Sequence, residues 1–362
     1  MRYTVSSPTE VPRAPGIELE ERKQRILQAV VRDYVETAEP VGSGALVDRY
    51  DFGVRSATLR NEMAEMAEMG YLQQPHTSAG RVPSEKGYRF YVDWLLTPCP
   101  LDAMHRRRLR AQLEKATAEV ERVLHQTCRM LSALTHYVSM ATPPQVEQDI
   151  VRQVHLATLD RDRLLVVVAL ATGRVEHAVV QAGVDLMTVD LSGIERLVVS
   201  ALQGRTVAQA VSVTPAGHDL LSAEGDTVYR AVCGTVLDLL TRIRAEESGE
   251  VVVEGTAEVL RQPEFENANV VRGLMGVLEE RRQLFSLLRE VYNEGARVII
   301  GSESGDPRMQ PCSLIAARYT VLGRYVGSVG VLGPTRMDYD RALPAVQFMA
   351  QSLGEVLTKL SL

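Results

Sequence analysis

Two short stretches of this sequence carry side chains suited to gripping and reading a nucleic-acid duplex. Ser56, Ala57, Thr58, Leu59, Arg60 and Asn61 open a run of helical periodicity. Serine, threonine, arginine and asparagine hold the donors and acceptors that match base edges in a major groove, and a helix N-terminus turns free N–H groups toward phosphate. Arg55 stands just before this run, and Ser43 opens the shorter helix ahead of it. Downstream, His76, Thr77, Ser78, Gly80 and Arg81 form a polar string with one guanidinium, suited to sugar-phosphate or minor-groove contact. The candidate DNA contacts are therefore Ser43, Arg55, Ser56, Thr58, Arg60, Asn61, His76, Thr77, Ser78 and Arg81. A trihelical packing module with a capping serine and a polar surface loop would show the same residues.

Other chemistries find less support. The sequence has no G-x-x-x-x-G-K-[ST] loop, no G-x-S-x-G elbow and no H-E-x-x-H helix. His76, His105, His125, His136, His155, His177 and His218 lack metal-ligand spacing, and Cys99, Cys128, Cys233 and Cys312 are too far apart for a C-x-x-C pair, so they read as reduced thiols. Asp338 and Asp340 beside Arg336 invite an acid-chemistry reading, but a turn held by local ion pairing explains them more cheaply. Neither an enzyme nor a bound cofactor or metal is expected.

These residues need elements to position them, and 362 residues suffice for two to three domains. With 45% hydrophobic and 24% charged residues the composition is that of a folded chain, and a net charge of −6 excludes a globally basic nucleic-acid coat but not a local binding face. Between Glu20 and Leu96 stand twelve acidic and ten basic residues, so DNA binding demands segregation: Arg55, Arg60, Arg81, Lys86 and Arg89 on one face, Glu62, Glu65 and Glu68 on another. The longest apolar run, Leu164 to Ala171, is eight residues, far short of a membrane span. The stretch 1–18, with three prolines and no apolar h-region, reads as a flexible tail and not a signal peptide, and the expected location is cytoplasmic.

Apolar residues at helical spacing from Glu20 to about Thr37, a short helix after Pro40 and Gly42 that Ser43 can cap, and a third from Ala57 to Met69 that Ser56 can cap make a trihelical unit. The inner face of the third helix holds Leu59, Met63, Met66 and Met69. Strand, loop and strand then fit Tyr71 to Pro83, with Pro75 and Gly80 as punctuation. A helix over Ser84 to Leu96 ends at Pro98 and Pro100, the clearest domain boundary. Leu101 to about Met140 reads as a long amphipathic helical segment, followed by α/β texture from Val151 with Gly173 turning a hairpin. Asp190 to Glu247 is mostly helical, Leu274 to Glu290 one periodic helix, and Leu314 to Tyr319 and Tyr325 to Leu332 antiparallel strands before a last helix from Asp340. The apolar faces of 101–140 and 190–247 suit either a dimer contact or an internal core.

Several long motifs in order now carry a family resemblance. Glu39-Pro40-Val41-Gly42-Ser43, Ser56-Ala57-Thr58-Leu59-Arg60-Asn61-Glu62-Met63, Pro75-His76-Thr77-Ser78-Ala79-Gly80-Arg81-Val82-Pro83 and Gly87-Tyr88-Arg89-Phe90-Tyr91-Val92-Asp93 closely resemble the heat-inducible transcription repressor family, HrcA. Glu254-Gly255, Pro263-Glu264-Phe265 and Gly333-Pro334-Thr335-Arg336-Met337-Asp338-Tyr339 continue it. The resemblance implies an α+β multidomain chain: a winged helix-turn-helix at 19–97, a GAF-like α/β domain at 101–186 and 248–362, and an inserted, mainly helical dimerisation domain at 187–247. It implies a homodimer that represses chaperone operons at a double-stranded inverted-repeat operator, lets go on heat stress, and is assisted in folding by a GroEL-type chaperonin. One departure is Gly44, where the family usually has arginine. The runner-up reading is a metabolite-sensing regulator with an effector pocket in the GAF-like domain, and a third is an adaptor whose winged helix contacts protein.

Overall fold

The computed structural model describes residues 19–76, 79–114, 119–213, 221–246, 250–289 and 295–361. The expected tail at 1–18 and two candidate contacts, Thr77 and Ser78, lie outside the described residues. Helix α1 (Glu21–Thr37) buries Ile26, Leu27, Val30 and Val31 and ends at Ala38, in the left-handed region at φ 58°. Helices α2 (Ser43–Arg49) and α3 (Ser56–Glu68) follow, and α3 buries Leu59, Met63 and Met66. Met69, expected on that inner face, is 36% exposed because the helix has ended at Glu68. Strands β1 (Leu72–Gln73) and β2 (Val82–Pro83) pair antiparallel. Helix α4 (Glu85–Phe90) is capped by Ser84, whose hydroxyl accepts from the Gly87 amide at 3.0 Å, and runs into one wide π turn at Tyr91–Leu95. A methyl group at Gly87 would lie 2.2 Å from the Tyr71 carbonyl oxygen, so this crossing of α4 and the hairpin admits only glycine.

The helical segment expected over 101–140 is three elements: α5 (Ala103–Glu114), α6 (Val120–Thr135) and strand β3 (Val138–Ala141). His136, at φ 58°, stops α6, and all four β3 residues are buried between neighbouring strands. Strands β4 (Val151–Thr158), β5 (Arg163–Leu170) and β6 (Val175–Gln181) form an antiparallel meander, turned at Gly173 with φ 89°. They form a three-stranded sheet of their own, and Val154, Leu164 and Val166 share a core with Ile194 and Val198 of α7 (Leu191–Leu202), Val207 of α8 (Val207–Val211) and Val232 and Leu240 of α9 (Ala223–Glu246). The expected division at 187 falls inside this core. Strand β7 (Val252–Glu254) returns the chain to the larger sheet. The one helix expected over 274–290 is two, α10 (Ala268–Glu279) and α11 (Arg281–Arg289), because Glu280 leaves helical geometry at ψ 67°. Strands β8 (Ala296–Ile300), β9 (Cys312–Val321) and β10 (Arg324–Pro334) and helix α12 (Tyr339–Ser361) complete the chain.

The larger sheet is antiparallel throughout, in the order β7-β3-β10-β9-β8. Alternate residues feed two cores. Met140, Ile299, Leu314 and Leu332 pack on α10 and α11, whereas Ile315, Val329 and Val331 pack on α6 and α12. The second core continues without a break into the trihelical unit, joining Leu353 and Val346 to Tyr91, Leu27 and Leu59. The architecture is mixed α and β, and no helix among the described residues is long and apolar enough to cross a membrane.

Candidate nucleic-acid interface

Helix α3 presents its first two turns outward. Thr58, Arg60 and Asn61 are exposed, Ser56 is half-buried, and Leu59 between them anchors the helix in the core. The residue at the helix start is not the one expected. Arg55, not Ser56, occupies the N-cap position, and Gly42, not Ser43, that of α2; neither helix has a side-chain cap. The two serines instead point at each other, Ser43 Oγ to Ser56 Oγ at 3.0 Å, locking the starts of α2 and α3 together. Uncapped first-turn N–H groups remain available for an anion. Ser43 is buried, so its part is to pin α2 against α3.

The hairpin is fixed to the same end of the unit. Val41 and Arg81 exchange backbone bonds at 2.9 and 2.8 Å, adding a third short strand to β1 and β2. A methyl group at Gly80 would lie 2.4 Å from the Val41 carbonyl oxygen, so the close approach requires glycine. Gln74 donates to the Ala79 carbonyl at 3.0 Å across the hairpin, and the Ala79 amide donates to the His76 carbonyl at 2.9 Å. Ser43, Arg60, Gln74 and Arg81 thus line one cleft of about 410 Å³ between α3 and the hairpin. Sequence reasoning passed over Gln74, whose only signal was a polar residue opposite a glycine turn. Among the described residues, Arg55, Arg60 and Arg81 have no ion-pair partner, and His76 is exposed at the hairpin tip.

The charges divide differently from the expected grouping. Arg22 Nε donates to Glu62 at 2.7 Å, and Lys23 pairs with Glu65 at 2.8 Å, so α1 neutralises two of the three acids of α3, while Glu68 is exposed. The Glu65 hydrogen bond holds the Lys23 ammonium pKa above its usual value. Asp33 is likewise engaged by Arg49 at 3.0 Å and the Tyr50 hydroxyl at 2.7 Å. Lys86 and Arg89, expected on the binding face, point elsewhere. Lys86 lies 4.3 Å from the centre of the Tyr71 ring and donates to the Met69 carbonyl at 3.2 Å, while Arg89 donates to the Val298 carbonyl at 2.7 Å and pairs with Glu303. The free cations of the face are Arg55, Arg60 and Arg81.

A family model described as the HrcA protein C terminal domain matches residues 121–343. Over 346 residues the chain is 34% identical to the heat-inducible transcription repressor HrcA of Pelotomaculum thermopropionicum, covering 95% of this chain and 98% of that one. The HrcA proteins of Moorella thermoacetica (36%, covering 94% and 99%) and Natranaerobius thermophilus (38%, covering 93% and 97%) are similar over the same extent. A crystal structure described as that of a hypothetical protein at 2.2 Å resolution shares the fold, with TM-score 0.58 at 24% identity over 94% of this chain and 98% of that one.

Proposed function

Because the chain belongs to the HrcA family of heat-inducible transcription repressors, we propose that its trihelical unit is a winged helix-turn-helix whose α3 reads a major groove while the hairpin grips the flanking strand. The chain is a heat-inducible transcription repressor; its role is regulatory, and the metabolite-sensing alternative is not favoured. The observation that supports this reading best is the exposed row Thr58, Arg60 and Asn61 beside Arg81, with Glu62 and Glu65 of α3 paired onto α1. The larger sheet with its flanking helices is the GAF-like domain.

A single winged helix spans few base pairs, and two-fold symmetry matches an inverted repeat. We place the joining surface on the inserted unit, which begins near 149 and ends near 247. The apolar faces of α7 to α9 are consumed by their own core. What remains is the outward face of β4-β5-β6, where Val175 and Val179 are 57% and 54% exposed beside half-buried Leu165, Val167 and Ala169. A second copy seated there makes the dimer. A GroEL-type chaperonin is proposed as a folding partner on the family resemblance.

The test is binding to a duplex carrying the inverted repeat upstream of chaperone genes, against a scrambled repeat, across a salt series. A preference of about a hundredfold or more that survives moderate salt establishes base recognition. Equal binding to both duplexes overturns it.

Gly44 supplies a gain-of-function check. It is exposed in α2, and a Cβ placed there meets nothing within 4 Å. Gly44→Arg therefore restores the cation usual in the family without a clash and removes a helical glycine worth roughly 0.5–1 kcal/mol. Operator affinity measured by fluorescence anisotropy rises severalfold, and the salt dependence steepens by about one unit of slope per added phosphate contact.

A further inference from the structure

The turn between β10 and α12 and the first turn of α12 belong with the larger sheet, yet each spends a charged side chain on the trihelical unit. The β10–α12 turn is rigid in its own right: the Asp338 amide donates to the Tyr137 hydroxyl at 2.9 Å, the Thr335 amide to the Pro311 carbonyl at 3.0 Å, and Met337 is fully buried. From this base Arg336 donates to the Val35 carbonyl at 2.6 Å while Glu264 and Gln262 hold its other nitrogens. Val35 is in the last turn of α1, where carbonyls lack helical partners and the helix dipole favours a cation. Four residues on, the Asp340 carboxylate accepts from the Tyr91 hydroxyl at 2.8 Å and the Thr97 amide at 2.9 Å, and its carbonyl accepts from the Cys99 amide at 2.8 Å. Those three residues are the stretch by which the chain leaves the trihelical unit. Arg89, with Glu303 and the Val298 carbonyl, makes a third attachment on another side.

Beside the core that the two parts share, directional polar attachments at separate points decide how the trihelical unit is turned on the body, and the Ser302 amide donating to Glu85 at 3.1 Å stands next to that of Arg89. We infer that Arg336 and Asp340 are positioning residues for operator binding: they set the angle of α3 relative to the body, and so the separation at which the two α3 helices of a dimer meet DNA. Only Asp338, paired with Arg341 at 3.4 Å, fits the local turn role expected from sequence. The inference rests on the proposed dimeric winged-helix reading.

The test measures affinity for operators whose half-sites are moved apart in single-base-pair steps, and for an isolated half-site, with full-length wild type, Arg336→Gln, Asp340→Asn and the double variant. Wild type peaks at one spacing. In the variants the ratio between best and neighbouring spacings falls at least tenfold, while isolated half-site affinity stays within twofold. Arg336→Lys keeps a cation at the end of α1 but cannot also fork onto Glu264, so it gives an intermediate profile; it serves as the folded variant if glutamine disturbs half-site binding. Variants that stay as sharply peaked as wild type, or that weaken equally at every spacing, overturn the positioning role and leave the repressor reading standing. A wild type that prefers no inverted repeat over a scrambled one overturns both.

Discussion

Arg60→Ala weakens operator binding by about 1–3 kcal/mol per half-site, roughly 5- to 150-fold, without changing the fold. The side chain is exposed on α3, has no ion-pair partner among the described residues and shares a cleft with Arg81 and Ser43. Removing it leaves no cavity and orphans no buried group, so thermal unfolding stays within a few degrees. A guanidinium forked onto a guanine edge is lost with one base's worth of discrimination, and the operator-to-scrambled ratio drops with the affinity. Arg55→Ala is the control, because a residue at the helix N-cap faces backbone. There the loss is equal on operator and scrambled duplex, and the salt slope falls by about one. If Arg60→Ala left operator affinity intact, α3 would not be the reading element, and the adaptor alternative, in which this face meets protein, would gain ground.

Much of this face was legible in the sequence, for a local reason. Helical spacing in α1 and α3, the Pro40-Val41-Gly42-Ser43 break and the Gly80 turn act over a few residues, so type and spacing suffice. Beyond the exact helix ends and breaks, such as the N-caps at Gly42 and Arg55 and the break at Glu280, the failures are long-range. Lys86 and Arg89 looked like binding cations because their partners, the Met69 carbonyl, the Tyr71 ring and Glu303, are up to 214 positions away. The pairing of Glu62 with Arg22 spans 40 positions and could be demanded but not located. β3 was absorbed into a helix because the four residues Val138-Ser139-Met140-Ala141 after an amphipathic run have no period of their own, and only burial on both sides marks them as strand. Arg336 and Asp340 were singled out as chemistry-bearing, yet their partners lie 301 and 249 positions back, so a turn was the cheapest local account.

The same limit applies to the proposed dimer, and it makes the second large effect. Periodicity gave α7 and α9 apolar stripes with no means of telling an internal core from a subunit contact. Once those stripes face β4, β5 and β6, the unit's surplus apolar surface is on the other side of the sheet, around Val179. Val179→Glu places a carboxylate on that face, paired across the sheet with Leu165. Exposed in the single chain, the glutamate costs the fold little; buried against a second copy, it is a charge without a partner, several kcal/mol against association. Val175→Glu on the same strand adds to it. On the proposed dimer, analytical ultracentrifugation then shows wild type as dimers and the variant as monomers at the same concentration. Operator affinity falls by about two orders of magnitude or more, because two half-sites are no longer joined and the effective concentration of the second is lost. Affinity for an isolated half-site is unchanged, which separates this outcome from Arg60→Ala, where both affinities fall. Dimers that persist in the double variant would place the joining surface elsewhere and leave the outward sheet face without a role in repression.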